Sequence, residues 1–178
     1  IIKNFKQPDN NSYNSHFTYP TGGAIEYVYS LYQRVNRQKV RLNTKIVKID
    51  INNKFAYTDT GEEIRFDRVI SSIPFPKLLE LTQTKYEESV YSWNKVLVYN
   101  LGFDKKGDDT SNHWVYFPEK KYCFYRIGYY DNILAQDRMS LYVELGFDKS
   151  ESVDEEKYLK KVIEDLKKAN IIADQKLI

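Results

Sequence analysis

Apolar positions along the chain change period several times, and each change marks an element. Ile25, Val28, Leu31, Tyr32 and Val35 recur at helical spacing and predict a helix. From residue 39 the period drops to two. A short strand is expected over Val40-Arg41-Leu42 and a longer one over 45–51. Asn52-Asn53 and then Asp59-Thr60-Gly61 turn the chain into two more strands, 54–58 and 63–66. Asp67–Ile73 reads as a strand whose unbroken apolar run suggests burial on both faces. Pro74 and Pro76 end it, and a short helix is expected over 77–81.

Strands dominate the second half, at 95–103, 113–117, 122–129 and 139–147, with polar turn material between them. The last element is an amphipathic helix with Tyr158, Leu159, Val162, Ile163 and Leu166 on its core face. Ser152 and Glu155 stand at capping-box spacing, and Lys167-Lys168 at its negative end. Residues 1–16 are polar and rich in Asn and Ser, which predicts an arm or loop, with one domain over 17–178. The class is therefore α+β: a mixed, largely antiparallel sheet with about three helices.

Composition alters this picture in only a few places. The 178 residues carry 16 Tyr against 2 Trp, a surplus that suits half-buried sheet faces or a polar cleft. Lys and Arg number 27 against 25 Asp and Glu, and the two signs alternate, so no footprint for nucleic acid or an anionic membrane surface exists. No apolar run approaches the ~18 residues of a membrane span. The single cysteine, Cys123, fits a reducing cytoplasm, and two His with one Cys are too scattered for a metal centre. Neither G-x-G-x-x-G nor a P-loop occurs, so the common cradles for pyrophosphate are missing. Nor is there a G-x-S-x-G elbow or an H-E-x-x-H pair. The start at Ile1 and the stop at Ile178 read as the edges of a piece trimmed from a longer protein.

The order of segments resembles the superfamily of flavin-containing amine oxidases and protoporphyrinogen oxidases. The likeness runs from Phe17-x-Tyr19-Pro20-x-Gly22-Gly23 through Thr44–Ile49 and Thr60-Gly61-Glu62 to Asp67–Pro74. Within it, His113-Trp114-Val115-Tyr116-Phe117-Pro118-Glu119, then Phe124-Tyr125-Arg126, then Asp131-Asn132, resemble the UDP-galactopyranose mutase branch, especially its eukaryotic-type members and their bacterial relatives. The resemblance implies a fragment of a two-domain FAD-linked fold: the substrate-binding part, without the dinucleotide-binding half.

It further implies that Ile46 offers backbone groups to the FAD adenine, and that Gly22 and Gly23 lie beside the cofactor. Tyr19, Pro20, Trp114, Tyr116 and Asn132 would line the substrate cleft, with Arg126 on the diphosphate of a sugar nucleotide, a task for which a planar guanidinium is well shaped. No side chain of the chain is assigned a catalytic step, since the flavin does the chemistry. Ile133 departs from the pattern, because the mutase branch often carries a tyrosine after the Asn. On the residues alone, Gly22-Gly23 serves equally as a helix-entry turn, Trp114 and Tyr116 as sheet packing, and Arg126 as a surface ion-pair partner.

Three functions stay open at this level: a mutase-like flavoprotein, an amine or protoporphyrinogen-type oxidase, and a non-catalytic binding module. An apolar face around Val69, Ile70 and Ile73 is expected where a missing half would dock, and with it self-association. The isolated chain is expected to be colourless. Titration with FAD followed by flavin fluorescence should give no saturable binding; a dissociation constant below about micromolar would overturn the reading of a chain without its pyrophosphate cradle.

Overall fold

A computed structural model describes residues 18–178; the arm expected over 1–16, and Phe17, lie outside them. The described chain separates into two compact units divided after Val40.

The first unit holds helix α1 (Ile25–Tyr32). Gly23, at φ +93°, takes the left-handed conformation that leads into it. The predicted apolar stripe is present but uncovered: Ile25, Val28 and Leu31 are each about half exposed. Val35 lies beyond the helix end. A 3₁₀ turn follows at Arg37–Lys39, with the Asn36 side chain accepting from the Gln38 N–H. The strand expected over Val40-Arg41-Leu42 is not formed, because nothing among the described residues pairs with it.

The second unit carries two sheets in place of one. The smaller has the order β1-β2-β3, built from β1 (Ile46–Asp50), β2 (Phe55–Thr58) and β3 (Glu63–Arg65), all antiparallel. Gly61 at φ +85° makes the second reversal in the expected Asp59–Gly61 turn, and Lys54 at φ +60° extends the expected Asn52-Asn53 turn by one residue, so that β2 starts at Phe55. Asp67–Ile73 does not continue this sheet. A strand needs partners on its flanks, none is available among the described residues, and the segment runs exposed with Ile70 fully in solvent. Helix α2 (Phe75–Leu81) follows its cap residue Pro74 and starts two residues earlier than the 77–81 expectation, with Pro76 in its first turn, where a missing N–H costs nothing.

The larger sheet has the order β4-β7-β6-β5: β4 (Asn94–Gly102), β5 (Trp114–Tyr116), β6 (Arg126–Tyr129) and β7 (Ser140–Asp148). β4 and β7 pair over nine positions, from Asn94 opposite Asp148 to Gly102 opposite Ser140. β6 begins only at Arg126, two residues after Phe124 turns into the core. Phe124 is buried there with Phe117 and Tyr122 packed on it. A fourth helix, α3 (Tyr130–Ile133), was not anticipated; one turn is too short to show a period.

Along β7, Leu141, Val143, Leu145 and Phe147 point to one face and are buried with Leu101, Ile127 and Tyr129. Helix α4 (Glu155–Lys168) covers this face with Val162 and Leu166, both fully buried. Its cap is Asp154, whose carboxylate accepts from the Lys157 N–H at 3.0 Å, so the expected Ser152 cap is displaced by two residues. Asp165 is fully buried on the same helix. It accepts the Cys123 N–H at 2.9 Å and pairs with Lys161 and Lys168, at 3.4 and 3.1 Å. Burial pushes this carboxyl up, but the Cys123 N–H and Lys168 outweigh it and hold it below the ordinary value.

Asp165→Ala leaves the Cys123 N–H without a partner and should cost about 1–3 kcal/mol, read as a lower urea midpoint at unchanged m. The stabilisation from the ionised carboxylate is complete above the unfolded value of about 3.9. It is lost as pH falls through the lowered native value, so the Asp165→Ala deficit should shrink as pH is taken below about 4.

Candidate active site

The open face of the large sheet is the other half of the same alternation. In β7 it carries Ser140, Tyr142, Glu144 and Gly146, and in β4 it carries Val96 and Val98, each nearly half exposed. Cross-strand register aligns two rows on it. One runs Tyr116, Arg126, Glu144, Val98; the next runs Trp114, Gly128, Tyr142, Asn100. Three of the residues singled out from the sequence, Trp114, Tyr116 and Arg126, therefore stand together on one surface.

Arg126 is the centre of the first row. Its Nη2 lies 2.5 Å from Glu144 Oε1, and its Nη1 donates to the Tyr116 hydroxyl at 3.1 Å. The guanidinium carbon sits 5.6 Å from the Tyr116 ring centroid and 5.9 Å from that of Tyr142, within cation–π range of both. The other oxygen of Glu144 accepts from the Tyr125 hydroxyl at 2.5 Å. Burial alone would push the Glu144 carboxyl up; hydrogen bonds from Arg126 and Tyr125 reverse this and lower it. The Tyr125 phenol is pushed up to about 12 by burial and by the Glu144 carboxylate. Both Glu144 and Arg126 are thus ionised at neutral pH.

The second row depends on an absent side chain. A Cβ placed on Gly128 would fall 1.8 Å from Cε1 of Tyr142, so only glycine lets that ring lie across β6 and reach Arg126. Tyr130 packs on the same ring at 5.1 Å between centroids.

The remaining sequence candidates stand elsewhere. Asn132, on α3, spends its amide on the Asp109 and Asn112 carbonyls, at 3.1 and 2.8 Å, and so ties down the loop before β5. Tyr19 and Pro20 line an open hollow of the first unit with Thr18, Ala24 and Tyr27. Gly22 and Gly23 belong to that unit too, in the turn before α1. Ile46 opens β1 on the small sheet. Cys123 offers no nucleophile: burial and the neighbouring Asp165 push its thiol up to about 12. Among the described residues, no three metal-ligating side chains cluster, and no helix is long and apolar enough to cross a membrane.

Glu144 and Tyr142 are not among the sequence candidates, and Tyr125 enters there only as part of the Phe124-Tyr125-Arg126 segment. The alternation in Met139–Phe147 does place Tyr142 and Glu144 away from the core. What it cannot supply is the register that sets Glu144 opposite Arg126, 18 residues earlier.

An antiparallel sheet sealed by a helix on one side and presenting an Arg-centred aromatic face on the other agrees with the family match. The chain belongs to the flavin-containing amine oxidoreductase family, whose profile matches residues 4–176. Among solved structures it is similar to a UDP-galactopyranose mutase in its reduced form, with a TM-score of 0.80 at 22% identity, covering 93% of this chain and 40% of that one. It is also similar to a protein from Pyrococcus furiosus, with a TM-score of 0.65 at 18% identity, covering 88% of this chain and 41% of that one. The chain thus spans about two fifths of the length of these structures, and at such identities the likeness is one of fold. No curated protein matches it.

Gly128→Ala should force the Tyr142 ring off the sheet and destabilise the protein by about 1–3 kcal/mol, as overpacking does. In a Tyr142→Ala background the same change should cost little. A double-mutant cycle in urea measures this coupling, and additive effects would show that the ring does not need the glycine.

Proposed function

We propose that this chain is the substrate-binding part of a FAD-dependent flavoprotein related to UDP-galactopyranose mutase, and that the open face around Arg126 takes the diphosphate of a sugar nucleotide. The observation that carries the reading is the placement of Arg126 between two tyrosine rings on a sheet face reached by solvent. A guanidinium has five N–H donors, and the contacts to Glu144 and Tyr116 engage one on each terminal nitrogen. Each terminal nitrogen keeps a second N–H that it can donate to a phosphate oxygen. Trp114 and Tyr116, beside it, offer flat apolar surface to a base or sugar ring. Tyr19 and Pro20 are proposed to contribute to the substrate side, and Gly22 and Gly23 to the cofactor side. Asn132 is proposed to act by holding the loop that leads into Trp114.

The residues present fit the adenine end of FAD and not its pyrophosphate. β1 is an edge strand of its sheet, so alternate backbone N–H and C=O groups near Ile46 face away from β2, as an adenine edge requires. The glycine-rich turn that would take the pyrophosphate is not in these 178 residues. When bound, the flavin would supply the nucleophile or the electron acceptor of the reaction. The part of this chain is to orient the sugar nucleotide and to stabilise negative charge on the departing diphosphate through Arg126.

One observation favours the oxidoreductase alternative. Glu144 already neutralises Arg126, which suits a substrate of low charge better than a diphosphate. Calorimetric titration of UDP into the full-length holoprotein separates the two. Arg126→Ala should weaken UDP binding by about 10- to 150-fold, the equivalent of about 1.5–3 kcal/mol, with flavin content unchanged. Arg126→Lys should recover only part, since it keeps the charge and loses the fork. Equal affinity in all three proteins would remove the diphosphate assignment and leave the oxidase reading.

A further inference from the structure

Glu144 has two partners on the open face, and both are residues that the surface needs in fixed positions. One carboxylate oxygen takes Nη2 of Arg126 and the other takes the hydroxyl of Tyr125, each at 2.5 Å. The Glu144 side chain is 10% exposed, whereas that of Arg126 keeps 32% of its surface in solvent. The acid is therefore the anchored member of the pair. It stands on β7, which like β6 is paired on both flanks, while Tyr116 on β5 belongs to an edge.

From the registered row of Tyr116, Arg126 and Glu144 we infer that Glu144 is a positioning residue. Its carboxylate sets the Arg126 guanidinium against the rings of Tyr116 and Tyr142 before any ligand arrives. The inference rests on the proposed function, because it names what the arginine is held ready for. A free arginine samples many rotamers, and a phosphate that must order it loses affinity by that amount; a guanidinium tied at one nitrogen has already lost that freedom.

A carboxylate beside an anion site has a second, opposite effect, and the two can be told apart by sign. If Glu144 acts only as a counter-charge, its removal exposes a full positive charge and tightens anion binding. If it positions Arg126, its removal loosens the guanidinium and weakens binding even though a repelling charge is gone.

The test is UDP titration into the full-length holoprotein and its Glu144→Ala, Glu144→Gln, Tyr125→Phe and Arg126→Ala variants, with flavin content as the control. Glu144→Ala is expected to weaken UDP binding by about 10-fold. Glu144→Gln is expected to recover most of that loss, since the amide matches the carboxylate in shape, accepts from Arg126 and donates to Tyr125. UDP affinity equal to or above wild type in both Glu144 variants would overturn the inference. Should Glu144→Ala fail to fold, Tyr125→Phe decides, on a ring that is 36% exposed. A loss of about 3-fold or more upholds the inference, and an unchanged affinity overturns it. Arg126→Ala separates the two levels. If it binds UDP as wild type does, the diphosphate reading itself falls; if it binds weakly while Glu144→Ala binds fully, only the positioning role falls.

Discussion

An antiparallel sheet with one face buried under a long helix must divide its residues by parity, and most of the second unit follows from that constraint. Leu141, Val143, Leu145 and Phe147 meet α4 because they are odd-numbered positions of β7; Tyr142 and Glu144 are left for the opposite surface because they are even. A slip of one residue in pairing would reverse both sets, placing Glu144 against Val162 and Leu166. The cost of a buried, unpaired carboxylate makes that register inaccessible. The packing that stabilises the fold thereby sets the register of the open face as well.

Two of the three buried acids among the described residues, Asp165 and Glu144, show how the same constraint handles charge. Asp165 is on the sealed side, where an ionised carboxylate survives only with an N–H and two lysines around it. Glu144 is on the open side, yet it is nearly as buried, because Arg126 and Tyr125 close over it. The first joins α4 to the segment before β6 and needs no solvent access. The second keeps one edge of its partner in solvent, which is the condition for recognising a ligand. Similar burial thus serves stability in one case and a surface in the other.

Much of this was legible in the chain itself. The period-two runs of β1, β2, β4 and β7, the turns at Asn52-Asn53 and Gly61, and the stripe of α4 are local properties, written in residues that are neighbours in sequence. The same local logic failed for Asp67–Ile73. Its apolar run carries β propensity, but a strand exists only through hydrogen bonds to partners, and propensity cannot provide them. It failed again for Val40-Arg41-Leu42 for the same reason. At the helix cap it erred by two residues, because Ser152 and Asp154 are both competent caps and the packing of Val162 and Leu166 chose between them.

For the candidate site the division is sharper. The aromatic and arginine residues of the second half, and the family they resemble, were readable without coordinates, since residue type and short spacing carry that information. By itself the sequence determined the α+β class, the antiparallel character and Trp114, Tyr116 and Arg126 as candidates. Tertiary structure alone decided that those three share one face, that Glu144 stands opposite Arg126, and that Gly128 makes room for Tyr142. The physical reason is register. Alternation along one strand says which face a side chain takes, but only the hydrogen-bond ladder between strands says which side chain it meets.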